Sequence, residues 1–145
     1  MLLERIKTAL VLVAAFILIS TKSSVLVFSI VISGFMGFVA WEWAGLAGIT
    51  KTSSKFTYAI FLICIVGFLY QGLGFGNNQE HFDKEMSLII LCAGLLFWIS
   101  SVFFLYHYPK YFEFWNKKYK LTVMGLLVII PAWNGMIVLK FLNPE

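Results

Sequence analysis

Four stretches, residues 25–48, 56–75, 86–107 and 121–142, each run for twenty residues or more with no more than one Asp, Glu, Lys or Arg. A helix crossing roughly 30 Å of hydrocarbon needs about 20 predominantly apolar residues, because each adds about 1.5 Å of rise. A barrel strand needs only about ten and alternates apolar with polar positions. These runs are continuously apolar, so the expected fold is all-α: a polytopic helical membrane protein. A fifth run, residues 4–20, is shorter and stands on a charged foot of Glu4, Arg5 and Lys7. Counting it gives about five spans in a single membrane domain over residues 1–145, with no repeat and no linker rich in Pro or Ser.

Composition excludes the soluble classes. The chain is 61% hydrophobic and 12% charged, against about 25% charged in a typical globular domain. Its formal charge of +4 comes from 11 basic and 7 acidic residues, but no basic run is long enough for a nucleic-acid arm. No nucleic-acid partner is expected.

The N-terminal twenty residues have the charge and apolarity of a signal peptide. The residues that follow, STKSSVLVFSIVISGF, carry no clean small-x-small cleavage site and re-enter an apolar run at once. A helical hairpin fits them better. Basic residues then set the orientation. With five spans, Arg5, Lys7, Lys51, Lys55, Lys110, Lys117, Lys118 and Lys120 share one side, and Lys22, Lys84 and Lys140 share the other. The richer side is expected to be cytoplasmic, as is the N-terminus. Cys64 and Cys92 fall at depths differing by roughly 10 Å at the helical rise, too far apart for a disulfide. Both are expected to be small packing residues.

Few residues here are candidates for chemistry. Glu42 stands between Trp41 and Trp43 about two turns before the end of the second run, where indoles suit the headgroup level. An acid there either reaches water and pairs with Lys51 or Lys55, or is buried and fixes a neighbouring helix or borders a polar cavity. Ser29, Ser33 and Gly37, and likewise Ala40, Ala44 and Gly48, recur at four-residue spacing, which lets helix backbones approach closely. Lys110, Lys117, Lys118 and Lys120 lie among aromatics in residues 107–120. Such a loop suits an anionic membrane surface, where each lysine contributes about 1 kcal/mol.

QGLGFGNN, residues 71–78, lacks the strand, helix and Lys or Ser of a phosphate loop and is expected to end a helix. Pro131 is expected to kink the last helix and Asn134 to hydrogen-bond across helices. His81 and His107 have no partner at metal spacing, and Glu80, Asp83 and Glu85 form an outward, solvated loop. No residue is assigned to catalysis, to a cofactor or to a metal.

Taken in order, ERIKTALVLVAAFILI (residues 4–19), AWEWAGLAG (40–48), LYHYPKY (105–111) and IIPAWNGMIVL (129–139) resemble the N-terminal half of bacterial phosphatidate cytidylyltransferase, also called CDP-diacylglycerol synthase. The resemblance rests on order and spacing over nearly all of the chain. It implies a multi-pass inner-membrane enzyme of phospholipid biosynthesis that joins CTP to phosphatidate with divalent metal (Mg). The family's polar signature and metal-holding acids lie in its C-terminal half, beyond the matching residues. The acids this chain offers on the cytoplasmic side, Glu42 and Glu113, belong to separate segments. Trp41, Glu42 and Trp43 match the family's N-terminal motif, and a structural role is expected of them. The chain is therefore expected to be a fragment, inactive alone, that needs the missing half or partner helices. The alternative is a small membrane module, not an enzyme, that packs beside a partner subunit or binds anionic lipid.

Overall fold

A computed structural model describes residues 2–76, 82–108 and 116–142. Five helices follow one another: α1 (Leu2–Lys22), α2 (Val25–Leu46), α3 (Thr52–Gly72), α4 (Lys84–Tyr106) and α5 (Lys118–Leu142). α2 to α5 are each long and apolar enough to cross a membrane, while the apolar part of α1, Ala9–Lys22, is shorter. α3 begins at Thr52, four residues before the apolar run. The polar residues Thr52, Ser53, Ser54 and Lys55 make its first turn, because helical hydrogen bonding extends past the hydrocarbon boundary.

α2 is the central element and packs against both α3 and α5, with α4 laid on the other side of α5. Its buried residues are Phe28, Ser29, Ile32, Met36, Gly37, Ala40 and Ala44, within which 29, 32, 36, 40 and 44 are three or four positions apart, the spacing that keeps side chains on one helical face. α3 contributes Tyr58, Ala59, Leu62 and Val66. α5 contributes Ile129, Trp133 and Ile137. Outward faces are apolar too, as at Phe38, Phe68, Leu95 and Val102. Such extensive apolar exposure suits lipid and not water. The chain is a multi-pass membrane protein.

Both ends of the central pair are closed by glycine. At Gly48 φ is +79° and at Gly74 +77°, a left-handed conformation that glycine adopts without a Cβ penalty. Gly48 N–H donates to Gly45 O and Ile49 N–H to Ala44 O; Gly74 N–H donates to Gln71 O and Phe75 N–H to Tyr70 O. This is the same paired closure twice, and Phe75 folds back against Tyr70 with ring centroids 5.9 Å apart. Gly48 is thus a helix terminator and not a member of the α2 packing row, because α2 ends at Leu46. The glycines of residues 71–76 likewise end α3.

Close backbone approach fixes the crossing of α4 and α5. A Cβ added to Gly94 would stand 2.5 Å from the Pro131 Cβ, so only glycine admits the proline ring there. α5 continues through Pro131. One turn farther on, buried Asn134 donates through Nδ2 to Ser87 O at 3.0 Å and pairs side chain to side chain with Ser87 Oγ. Cys64 and Cys92 are free and exposed, which corrects the expectation that they pack. The inward stripe of α3 runs through Leu62 and Val66 and that of α4 through Ser87 and Gly94, leaving each cysteine on the outer side.

α1 sits at the edge. Phe16 meets Phe28 at 6.2 Å, and Lys140 Nζ, on a side chain only 4% exposed, donates to Ser20 O at 2.7 Å. The carbonyl belongs to the last turn of α1, where the helix dipole favours a cation. That bond seats the edge helix on the bundle.

Candidate functional site at the basic end of the bundle

The end of α2, the start of α3 and the start of α5 meet at one end of the bundle. Here the two indoles of AWEWA part company. Successive helical residues are turned by about 100°, so residues 41, 42 and 43 face three directions. Trp41 turns toward α3 and meets Phe56 edge-on, with centroids 6.4 Å apart. Trp43 turns toward α5 and donates from Nε1 to Leu121 O at 2.7 Å. Glu42 is exposed, and no described residue pairs with it. Neither Lys51 nor Lys55 reaches it.

Tyr58 of α3 makes the matching link, donating from its hydroxyl to Thr122 O at 2.9 Å. Two side chains from two helices therefore hold successive carbonyls in the first turns of α5. Gly125 makes room for both: a Cβ there would stand 2.4 Å from Trp43 Cδ1 and 2.5 Å from the Tyr58 hydroxyl oxygen. This three-helix knot fixes the basic end.

Charge is arranged around it. α2 carries no basic residue in its last turn, and the cations come from its neighbours. Lys55 lies over Gly45, with Nζ 2.9 Å from where a Cβ would be, and the stem of Lys118 lies against Gly48. Both place positive charge beside the C-terminal carbonyls of α2, a favourable location. Lys117 and Lys118 are exposed and Lys120 is half-buried. Lys110, Glu113, His81 and Glu80 lie outside the described residues. His107 turns back on its own helix, its Nδ1 2.9 Å from Phe103 O.

The metal-dependent family resemblance calls for a test of ligands. Among the described residues no three His, Cys, Asp or Glu side chains gather where an ion could be held. Glu42 is a single carboxylate, whereas magnesium takes an octahedral shell, usually with one or two carboxylates, water and substrate phosphate. The residues described do not fit a divalent ion by themselves. Its bearing on Glu42 is direct: Glu42→Gln is expected to leave stability within about 0.5 kcal/mol of the parent, as surface substitutions do. Unfolding in detergent checks this, and a loss above about 1 kcal/mol would mean that the carboxylate has a buried partner.

Sequence reasoning placed Trp43 at this end and missed Tyr58 and Gly125. Gly125 left one signal, a lone glycine inside an otherwise well-formed apolar helix, which usually marks close approach. Tyr58 left none, since a tyrosine near a membrane boundary is ordinary.

Comparison with known proteins adds the following. The chain is 30% identical over 144 residues to phosphatidate cytidylyltransferase of Pseudomonas aeruginosa, covering 97% of this chain and 48% of that protein. It is 24% identical over 142 residues to phosphatidate cytidylyltransferase of Haemophilus influenzae, covering 97% of this chain and 49% of that one. The chain thus spans about half the length of the curated relatives it matches. No family model matches it, and no solved structure does.

Proposed function

We propose, from a chain related to the phosphatidate cytidylyltransferases over about half their length, that these helices are the membrane scaffold of a CDP-diacylglycerol-forming activity. The observation that carries the reading is similarity along 97% of the chain to two proteins of that name. In this reaction an oxygen of the phosphatidate phosphate attacks the α-phosphorus of CTP. The bond to the β-phosphate oxygen breaks, and diphosphate leaves.

Both substrates are polyanions, so the lysines of the basic end would raise their local concentration. Lys117, Lys118 and Lys120 are the residues assigned that part. Trp43, Tyr58 and Gly125 hold the helices that carry them. Glu42 is assigned no catalytic role. A divalent metal, when bound, would offset phosphate charge, and the acids that would hold it are assigned to the remaining half or a partner. Lys51 to Lys55 and the basic start of α5 face the cytoplasm of a bacterial inner membrane, in accord with the excess of basic residues on that side.

Two measurements test this. In vesicles with magnesium, labelled CTP and phosphatidate, the chain alone is expected to give no labelled lipid above protein-free vesicles. Joined to the remaining half of the Pseudomonas aeruginosa relative, it is expected to give CDP-diacylglycerol. Turnover by the chain alone, or a folded and inserted chimera that stays inactive, overturns the scaffold reading. For orientation, single cysteines at Ser53 and Lys84, with Cys64 and Cys92 replaced, are labelled in intact cells with an impermeant maleimide. Labelling at position 84 alone is expected, and labelling at position 53 alone reverses the orientation.

A further inference from the structure

The AWEWA turn leaves one of its three directions unfilled. Trp41 faces α3 and Trp43 faces α5, whereas Glu42 lies on a stripe of α2 with Val31, Phe35, Phe38 and Leu46, positions three or four apart and all exposed. Glu42 is the only charge on that stripe. Gly34 stands one turn before Phe38 on the same side. Of the glycines within α2, Gly37 receives Ile63 and Gly45 receives Lys55, but a Cβ at Gly34 would meet nothing within 4 Å. Small residues at such positions let a second helix come close.

Glu42 is badly placed for a helix face that meets only lipid. Its carboxylate lies one turn before the last helical residue, Leu46, where the carbonyl end of the helix carries partial negative charge and favours a cation. It also interrupts a stripe that otherwise suits hydrocarbon, in which a lone ion is costly. Lys55 and Lys118 lie over Gly45 and Gly48, and among the described residues no cation pairs with Glu42. A cation from outside these helices would satisfy the carboxylate and the carbonyl end together. The curated relatives offer a source, since this chain spans only 48% and 49% of them. We infer that the outer stripe of α2 seats one transmembrane helix of the remaining half, with Gly34 at the close approach and an Arg or Lys of that helix paired with Glu42. This rests on the reading that a remaining half completes the scaffold, and it concerns assembly, not the transfer step.

The test compares the chain alone with its fusion to the remaining half of the Pseudomonas aeruginosa relative, with Cys64 and Cys92 replaced. In vesicles, a nitroxide on Phe38→Cys reads contact with lipid through collisions with oxygen. High oxygen accessibility is expected in the chain alone, and loss of it in the fusion. Glu42→Gln and Glu42→Lys are expected to leave the melting of the chain alone unchanged. In the fusion, Glu42→Lys is expected to lower the midpoint by about 4 °C, the order set by losing one charge-assisted hydrogen bond, and Glu42→Gln by less. Each Arg and Lys of the remaining half is then reversed to Glu in turn, and one reversal is expected to restore the Glu42→Lys midpoint. Phe38 still open to lipid in the fusion, no loss with Glu42→Lys, or no restoring reversal would overturn the inference. Shielding of Phe38 in the chain alone would also overturn it, because a second copy or the basic foot of α1 would then cover the stripe. Where the fusion does not insert, the halves are expressed as separate chains. The parent is expected to co-purify with the remaining half and Glu42→Lys is not, and failure of the parent to do so overturns the inference. A shielded stripe with a restoring reversal, in a fusion that forms no CDP-diacylglycerol, upholds the docking and removes only the functional reading.

Discussion

Trp133→Ala is expected to cost the bundle about 3 kcal/mol, the lower end of the range for truncating a buried indole. The side chain is fully buried, donates from Nε1 to Ser33 Oγ at 3.0 Å and meets Phe75 edge-on at 6.1 Å. Phe75 in turn packs on Phe82 and Phe141, so one indole ties α2, α5 and the turn after α3. The lower end applies because lipid is as apolar as the protein interior. What is lost is packing and a hydrogen bond, not transfer out of water. Ser33→Ala removes only the acceptor and is expected to cost about 0.6–1.5 kcal/mol. Reversible unfolding in mixed detergent measures both. A Trp133→Ala loss under about 1 kcal/mol would mean that the core is not organised around this residue.

Gly125→Val is expected to cost about 2–4 kcal/mol, combining overpacking with loss of two interhelical bonds. The new Cβ would fall inside contact distance of both Trp43 and Tyr58. Relief requires those side chains to swing away from Leu121 O and Thr122 O. Gly125→Ala is expected to act in the same direction and less strongly. The diagnostic is coupling: with Tyr58→Phe already present, the oxygen 2.5 Å from the Cβ is gone, and Gly125→Ala should then cost less than in the parent. Strict additivity of the two changes would place the strain elsewhere.

The number of long apolar runs announced an all-helical membrane fold, because crossing hydrocarbon imposes a length that composition cannot hide. Which helices touch was not legible. A helix apolar on every side gives no periodic stripe to mark its inner face, so Cys64 and Cys92 looked as suitable for packing as Ala59 and Gly94. The AWEWA motif located a boundary, yet only the angle between positions 41 and 43 sends one indole to Phe56 and the other to Leu121. Asn134 was recognised as a donor across helices, whereas its partner Ser87 was invisible, being one of many serines in apolar surroundings. Lys140 counted only as a charge beyond the membrane until burial placed it on α1.

That placement has a bearing on the order of assembly. Ser20 and Lys140 are 120 positions apart, so the ribosome has made every intervening helix before the ammonium that seats α1 exists. At a synthesis rate of about 5–20 residues per second, the wait is on the order of ten seconds. Until then α1 has its own backbone hydrogen bonds, lipid and the Phe16–Phe28 contact with α2, without the buried hydrogen bond that seats it. The hairpin that enters the membrane early is thus completed late, by a contact of long sequence separation that other pairings precede.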